Sequence, residues 1–481
     1  MVSAGEAAGV APAPVQTPAP VPAQVQAQSP EDPLIVSVAE SSTGFAADLY
    51  AQLRSQPGNL SFSPLSLSQA LLPIVAGVQG PAASELGKVL HLNVPLPEAA
   101  DGLSTLTRRL QRSAGGENNL AFARALWVQQ WNSINNDYID LLRQHCRSEL
   151  RVIDFARPEH AVHWINRWVS DRTDDTITAI ADEKSYEPNA CLVVGNAIYF
   201  RTGWQRSFDP TLTELAPFFV PELPAQTASA PVASGVSAAA AATPTPVSGA
   251  PIPAAPAGAP AKPAASTPPA TSASVAAARA PAQPAAVPVA VPTMRRIAPF
   301  RLAVQPGFKL LQLPYRGEQL SLVILLPDTE VSLAQVEPQL TAPRIAECLR
   351  TVRDSAPARI ELRLPRFKAE RAVPQLAATL KKMGMNAVFD TAGSADFSVF
   401  GSNIDGAPIY LSAVSHVVRL VVDEQGALGQ AGTAPQTDGA YDAPVEVPAA
   451  FTVNRPFLFF ICDQQTGALL FMGRIVDPRA S

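Results

Sequence analysis

The segment that decides how this chain folds is VVDEQGALGQAGTAPQTDGAYDAPVEVPAAF, residues 421–451. It leaves a β-branched run, continues through a long stretch rich in Gly, Ala, Thr, Gln and Pro, and re-enters a hydrophobic block. Long loops without regular structure are uncommon inside compact domains, and they are usually functional or disordered. A stretch with so few large side chains between two strand-like segments therefore needs an explanation from the rest of the sequence.

The composition of the 481 residues excludes some classes of function. Hydrophobic residues make up 47%, which allows a sizeable core, while 6% aromatic residues, 16% charged residues and 48 prolines indicate that part of the chain is compositionally biased. The net charge of −5 gives no reason to expect nucleic acid as a partner. The basic cluster at residues 108–112 is explained more simply by a solvated helix face.

The cysteines and the termini give no sign of a disulfide framework, a metal site or a membrane anchor. Cys146, Cys191, Cys348 and Cys462 are far apart and lack metal-ligand spacing, and we expect them to be unpaired. No apolar run reaches transmembrane length, and the N-terminus shows no basic start followed by an apolar region, so no signal peptide is visible.

Catalytic motifs are absent from the sequence. There is no H-E-x-x-H, no G-x-S-x-G, no P-loop and no G-x-G-x-x-G. His160 and His163 flank one helical turn, but no third ligand lies nearby, and a surface pair is the simpler interpretation. The sequence therefore predicts no metal, no cofactor and no enzyme.

Two segments are predicted to be disordered because they cannot bury enough surface to offset the entropy of ordering. They are the Ala/Pro-rich residues 1–32 and the more extreme insertion at 222–290, which proline stiffens into a spacer. Residues 33–221 and 291–481 are predicted to form one domain of mixed class. Helices come mostly early and strands mostly late, which predicts an α+β fold.

The local patterns behind this prediction are specific. Apolar spacing at Ala46, Leu49, Tyr50 and Leu53 predicts a helix, and so does the segment around Trp164 and Trp168. Buried strands are expected at 191–200 and 320–327, and a half-buried strand at Ile360 to Leu364. A C-terminal hairpin is expected at 456–476.

Several stretches together resemble the serpin family of protease inhibitors. Six segments follow in the family's order, and this is a much stronger signal than any one of them. They are NLSFSPLSLSQALLPIVAGVQGPAASELGKVLHL (59–92), NAIYFRTGWQRSF (196–208), LPRFKAERAVPQLAATLKKMGMNAVFD (364–390), ADFSVF (395–400), LSAVSHVVRLVVDEQG (411–426), and NRPFLFFI with LFMGRIVDP (454–478).

The resemblance implies a helical half packed on a large central β-sheet, with smaller sheets and an exposed reactive-centre loop at 424–450. The insertion would fall between two strands of a smaller sheet, after APFFV and before VPTMRR. The resemblance also implies a monomeric inhibitor of a serine or cysteine protease. Family habit favours export, although the visible N-terminus does not support it.

The mechanism implied by the resemblance is suicide inhibition. A protease attacks the loop as a substrate and forms an acyl-enzyme. The cut loop then inserts into the main sheet as a new strand, and the tethered protease is distorted before water releases it. The uncut form is held by a kinetic barrier that cleavage removes.

The family's loop begins with a Glu-x-Gly hinge, matched here by Glu424, Gln425 and Gly426. Strand side chains alternate between the two faces of a sheet. If Ala427 points inward, Gly429, Ala431 and Thr433 do as well, and small inward side chains suit a strand that must slide between two others.

Some loop residues depart from the family's inhibitory pattern. The family favours Thr or Ser where this chain has Ala427, and a run of alanines at 429–432. Glycine weakens strands, and Pro435 cannot donate to a central ladder. A non-inhibitory serpin that is cleaved as a substrate or acts as a binding protein therefore stays open.

Two ways of counting place the cleaved bond differently. Counting from the hinge gives Ala440–Tyr441, whereas counting back from Pro456 gives a position near Val445–Glu446. The hinge count is preferred because the inserted segment, about sixteen residues or roughly 50 Å, must match the sheet. Ala440 suits an elastase-like or subtilisin-like protease, and cleavage after Tyr441 suits a chymotrypsin-like one.

Ser63, Ser66, Asn196 and His416 match the polar cluster that serpins place beneath the main sheet; we call them the gate cluster. Taken singly, a residue like His416 is more often a satisfied core histidine, and one like Ser63 is more often a helix cap. A network of this kind holds strands together and re-pairs when they part. Trp204 matches the tryptophan at the top of the sheet where insertion starts, and it is also compatible with a plain core position.

Overall fold

The computed structural model describes residues 32–116, 119–182, 184–221, 286–372, 376–427 and 447–480. Residues 1–31, most of the insertion predicted at 222–290, and loop residues 428–446 therefore lie outside the described part. The helices of the described part are α1 (Pro33–Leu53), α2 (Pro64–Gly77), α3 (Gly80–Val89), α4 (Leu96–Ser113), α5 (Asn136–Leu141), α6 (Pro158–Arg172), α7 (Leu333–Val336), α8 (Ala342–Asp354) and α9 (Leu376–Lys382).

The strands alternate with these helices and become dominant after residue 192. They are β1 (Leu60–Phe62), β2 (Leu120–Gln129), β3 (Asn132–Ile134), β4 (Glu149–Ile153), β5 (Leu192–Phe200), β6 (Thr202–Gly203), β7 (Glu214–Pro221), β8 (Ala286–Gln305), β9 (Phe308–Pro314), β10 (Leu320–Pro327), β11 (Pro357–Pro365), β12 (Phe367–Ala372), β13 (Gly401–Asn403), β14 (Leu411–Val422), β15 (Gly426–Ala427), β16 (Ala449–Thr452), β17 (Phe457–Asp463) and β18 (Leu469–Ile475).

Helix α1 forms where the apolar spacing predicts it. Asp32 caps its first turn by accepting from Leu34 N–H at 2.9 Å, and Pro33 occupies the first helical position, where a missing N–H costs nothing. Leu49 and Leu53 are fully buried. Helix α2 is buried along its whole length, so it packs inside the helical half of the molecule.

The main sheet has seven strands among the described residues. Its order is β4-β2-β5-β14, with β12 on the far side of β14 and with β15 and β6 at one end. Strands β5 and β14 are direct parallel neighbours in its centre. Helix α6 contacts β2 of this sheet, and α2 contacts β5 and β2.

The other large sheet has nine strands in the described part of the chain, whereas the sequence predicts smaller sheets beside the main one. The reason is strand β8, which runs for 20 residues. It pairs with β7 over its first part, with β11 over its middle and with β9 at its end. One continuous strand therefore joins what would be two sheets.

The insertion leaves from β7 and returns at β8, which are antiparallel partners with Pro221 opposite Ala286. It therefore lies between two paired strands, as expected. The predicted boundary at 290 needs a correction, because β8 begins at Ala286. Residues 286–290 form a backbone ladder with 217–221, and their small side chains gave no signal of it.

The C-terminal hairpin of β17 and β18 is fully buried, and β18 pairs with β1. The four cysteines are buried and unpaired. No helix in the described ranges combines the length and the apolar character that crossing a membrane requires. In the same ranges, no group of three or more His, Cys, Asp and Glu side chains is arranged to hold a metal ion.

Candidate functional site

Strands β5 and β14 lie side by side in parallel register from Leu192–Leu411 to Tyr199–Arg419. Every residue of β5 is buried. The two strands are hydrogen-bonded directly to each other, so the main sheet is closed along this line. A strand that entered here would have to separate these two first.

The gate cluster connects three elements beneath that line. Asn196 of β5 and His416 of β14 are register partners, and Asn196 Nδ2 lies 3.1 Å from His416 Nδ1. Ser66 Oγ donates to Asn196 Oδ1 at 2.7 Å, and Ser63 N–H donates to His416 Nε2 at 3.1 Å. All four residues are at most 1% exposed. The network thus joins both strands to the start of α2.

Ser63 serves the helix and the cluster at once. It is the N-cap of α2, and its Oγ accepts from Ser66 N–H at 3.3 Å. Because the cap fixes the first turn, it also sets the position of the Ser66 hydroxyl under Asn196. The two interpretations of Ser63, as a helix cap and as a member of the cluster, are therefore compatible.

Burial keeps the His416 ring neutral. Desolvation lowers the pKa of His416 to about 3. A neutral ring can accept from Ser63 N–H at Nε2, whereas a doubly protonated ring would point an N–H at this donor and lose the bond. The neutral ring therefore keeps its bond from Ser63 N–H.

The hinge, residues 424–427, enters the main sheet at one end. Val422 pairs with Phe367 of β12 on one side and with Ala427 on the other. Gly426 and Ala427 pair in turn with Gly203 and Thr202, antiparallel. Strand β15 therefore lies between β14 and β6, and it has the position and direction of the first two residues of an additional strand.

Gly426 fits this place because it has no side chain. Its φ is +148°, and a Cβ there would lie 2.1 Å from Thr202 O and 2.6 Å from Gly203 Cα. Ala427 beside it is fully buried. The neighbouring backbone therefore excludes a side chain at Gly426, and burial disfavours a charged or larger side chain at Ala427.

Trp204 holds the hinge from the side of β6. Its indole N–H donates to Asp423 O at 2.8 Å, and its backbone N–H donates to Gln425 O at 2.9 Å. The ring is 2% exposed and stacks on Tyr315, with ring centroids 4.6 Å apart. Trp204 is therefore a core aromatic residue that also donates hydrogen bonds to the chain directly before the loop.

Glu424 anchors the hinge through an ion pair that the sequence did not reveal. Arg366 NH2 lies 2.7 Å from Glu424 Oε1, and Thr213 Oγ1 donates to the same oxygen. Burial alone would raise the pKa of Glu424, but the hydrogen bonds from Arg366 and Thr213 outweigh it and lower the pKa. Only the fold brings Arg366, which follows β11, next to the hinge.

The other predicted loop residues lie outside the described part of the chain. They are Gly429, Ala431 and Thr433 of the inward-facing set, and Ala440 and Tyr441 of the predicted cleaved bond. The alternative bond near Val445–Glu446 lies there as well. The chain is described again from residue 447 and enters β16 at Ala449, which pairs in parallel with Ile360 of β11.

Comparisons with known proteins place this architecture in one family. The family model described as Serpin (serine protease inhibitor) matches residues 40–231 and 284–478. The chain therefore belongs to the serpin family, as the sequence predicts. The two matched stretches leave out most of the Pro/Ala-rich insertion.

Individual relatives match over most of their length. The chain is 28% identical over 465 residues to human Serpin B3, covering 92% of this chain and 100% of the relative. It is 26% identical over 449 residues to leukocyte elastase inhibitor of Bos taurus, covering 92% and 99%. Human thyroxine-binding globulin, solved in complex with thyroxine, has the same fold, with a TM-score of 0.69 and 20% identity over 92% of this chain and 99% of that chain.

Proposed function

We propose that this protein inhibits a serine endopeptidase as a suicide substrate, with cleavage at Ala440–Tyr441. The protease's serine attacks the carbonyl of Ala440 and forms an acyl-enzyme, and the new amino terminus at Tyr441 leaves. The freed loop then enters the main sheet between β5 and β14. A cysteine protease would form the corresponding thioester.

One observation carries this proposal. At the hinge, β15 already separates β14 from β6, while β14 and β5 are paired directly from Leu192–Leu411 to Tyr199–Arg419. The sheet thus has room for an additional strand at one end and none along the rest. Further loop residues that continued β15 would have to open this closed line.

The pairing geometry supplies a thermodynamic direction for insertion. The contact between β5 and β14 is parallel, whereas β15 is antiparallel to both of its neighbours. A full inserted strand would replace one parallel pairing with two antiparallel ones, which are slightly more stable per residue. The gate cluster at Asn196 and His416 stands across the line that must open and therefore resists it.

The test is to mix the protein with elastase, subtilisin or chymotrypsin, run denaturing gels, and sequence the released C-terminal fragment. We expect a denaturant-stable protease–protein band and a fragment that begins at Tyr441. The variant Ala427→Arg places a charged side chain at a fully buried hinge position and should be cleaved without that band. Ala392→Arg, in an exposed loop, is the matched control and should still trap.

Cleavage of the unaltered protein without the band, and without a gain in thermal stability, would overturn the proposal. It would favour the second candidate function, a serpin that is cleaved without trapping or that binds a ligand. The glycines at 429 and 432 and the proline at 435 favour this candidate, because each weakens an inserted strand.

A further inference from the structure

A cavity of about 460 Å³ lies directly beside the segment 204–208 that holds the hinge. Its walls come from this segment, from β8 and β9, and from the end of α8. This volume is within the range of small-molecule sites in proteins. Four arginines line it, namely Arg206, Arg296, Arg301 and Arg353, and Glu318 is the one carboxylate among its described lining residues.

Arg301 on β8 and Arg353 on α8 are fixed in place by hydrogen bonds to backbone carbonyl groups. Arg301 donates to the carbonyl oxygen of Ser355 and forms no ion pair among the described residues. Arg353 donates to Gln464 O at 3.2 Å, and its partner Asp354 is 62% exposed, so that ion pair is screened by water. Positive charge from these two guanidinium groups therefore accumulates along this cavity.

Arg296 connects the arginine-lined wall of the cavity to the segment 204–208 that holds the hinge. Its guanidinium donates to the carbonyl oxygen of Arg206 and lies 6.0 Å from the ring centroid of Phe208 and 5.5 Å from that of Phe300. These contacts orient the group along the cavity wall. A planar guanidinium held in this way is suited to bind a carboxylate or a phosphate with two hydrogen bonds.

We propose that this cavity binds a small anion that carries a carboxylate or phosphate group. The anionic group accepts from Arg301 and Arg353. The ligand braces the segment 204–208, whose Trp204 and Phe208 N–H groups hold Gln425 O and Glu424 O at 2.9 Å each. Binding therefore stabilises the uncut protein, and in the proposed inhibitory function, on which this consequence rests, it slows loop insertion.

The test uses the full chain and three probes at constant ionic strength, which sodium chloride adjusts. The probes are 3-phosphoglycerate, inorganic phosphate and glycerate. We expect 3-phosphoglycerate to raise the thermal unfolding midpoint with saturation and to change the tryptophan fluorescence. Phosphate alone and glycerate alone should bind more weakly, and their order shows whether the phosphate or the carboxylate contributes more.

Arg301→Gln should weaken binding of 3-phosphoglycerate about tenfold or more, because a charge-assisted bond is lost. Arg301→Lys should restore part of it. Arg353→Gln tests the same cavity if Arg301→Gln fails to fold. Arg359→Gln is the matched control, since Arg359 is exposed on β11 and does not line the cavity.

Equal weakening by Arg301→Gln and Arg359→Gln would overturn the proposal, because it would indicate general charge screening. Absence of saturable binding up to about 10 mM, a very weak affinity, would overturn it as well. Binding is measured without a protease, so a failure of the proposed inhibitory function leaves this test intact. Where a protease is trapped, the probe should lower the rate of trapping.

Discussion

Asn196 and His416 are opposite each other in the parallel register of β5 and β14, with Asn196 Nδ2 3.1 Å from His416 Nδ1. The contact therefore crosses the line along which the main sheet is closed. A buried polar contact of this kind is stable while it is complete and costly when one partner is lost. The protonation state of His416 therefore bears directly on how firmly these two strands are held.

Acid should weaken the closed sheet through His416. Because burial lowers the pKa of His416 to about 3, the unfolded chain binds a proton near pH 6.5 that the folded protein does not. The part of the free energy of unfolding that depends on the neutral His416 ring is fully present above about pH 6.5 and is lost as the pH falls towards 3. Between pH 7 and pH 5 the loss is about 2 kcal/mol. It should lower the thermal unfolding midpoint measured at a fixed scan rate.

The control for this prediction separates His416 from the other titrating groups. His416→Gln should flatten the pH dependence between pH 7 and pH 5, whereas His163→Gln, at an exposed position of α6, should leave it unchanged. If all three proteins lose the same stability over this range, His416 is not responsible for the loss.

Gly426→Ala should displace the hinge from the main sheet. The added Cβ would lie 2.1 Å from Thr202 O, so β15 has to move away from β6. We expect faster limited proteolysis around residues 423–427 and, in the inhibition assay, more protease turned over for each stable complex. Gly406→Ala is the matched control, because Gly406 also has a positive φ but has open space around it. Equal effects of the two variants would show that backbone strain rather than the contact with β6 is responsible.

Much of the fold can be predicted from local pattern. The spacing of Leu49 and Leu53 predicts α1, and the apolar run at 320–327 predicts β10, which is buried at every position. Trp164 shows the limit of such reasoning. It has helical spacing with Trp168, and both lie in α6, but Trp164 is 58% exposed and Trp168 is 3% exposed. Spacing indicates a helix without saying where its packed face ends.

Features that depend on backbone pairing were not visible in the sequence. The start of β8 at Ala286 depends on a ladder with residues 217–221, and an Ala/Pro/Val-rich stretch shows nothing of this. The Arg366–Glu424 ion pair joins residues that are far apart in the chain. By contrast, the gate cluster was identified because four separate motifs resembled one family, and the structure brings its members within hydrogen-bond distance.

The Arg366–Glu424 ion pair should contribute a measurable coupling energy. Glu424 is 5% exposed and Arg366 is half-exposed, so we expect about 1 kcal/mol from a double-mutant cycle with Glu424→Gln and Arg366→Gln. Because these bonds lower the pKa of Glu424, the coupling is present at neutral pH and is lost as the carboxylate becomes protonated in acid. The more exposed pair of Arg344 and Glu347 provides the comparison and should show a smaller coupling. A coupling energy of zero between Arg366 and Glu424 would mean that Thr213 and the backbone alone anchor the hinge.

Removing the insertion should preserve the fold if the cut follows the ladder between β7 and β8. Because Pro221 lies opposite Ala286, replacing residues 222–285 with Asn-Gly should close a tight hairpin. Each halving of loop length recovers about 0.6 kcal/mol, so stability should stay equal or rise by up to about 3 kcal/mol. Replacing residues 222–290 instead deletes the ladder partners of residues 217–221, and each lost backbone hydrogen bond should cost about 1 kcal/mol. Thermal unfolding of the two variants measures the difference, and equal midpoints would show that residues 286–290 add nothing to the fold.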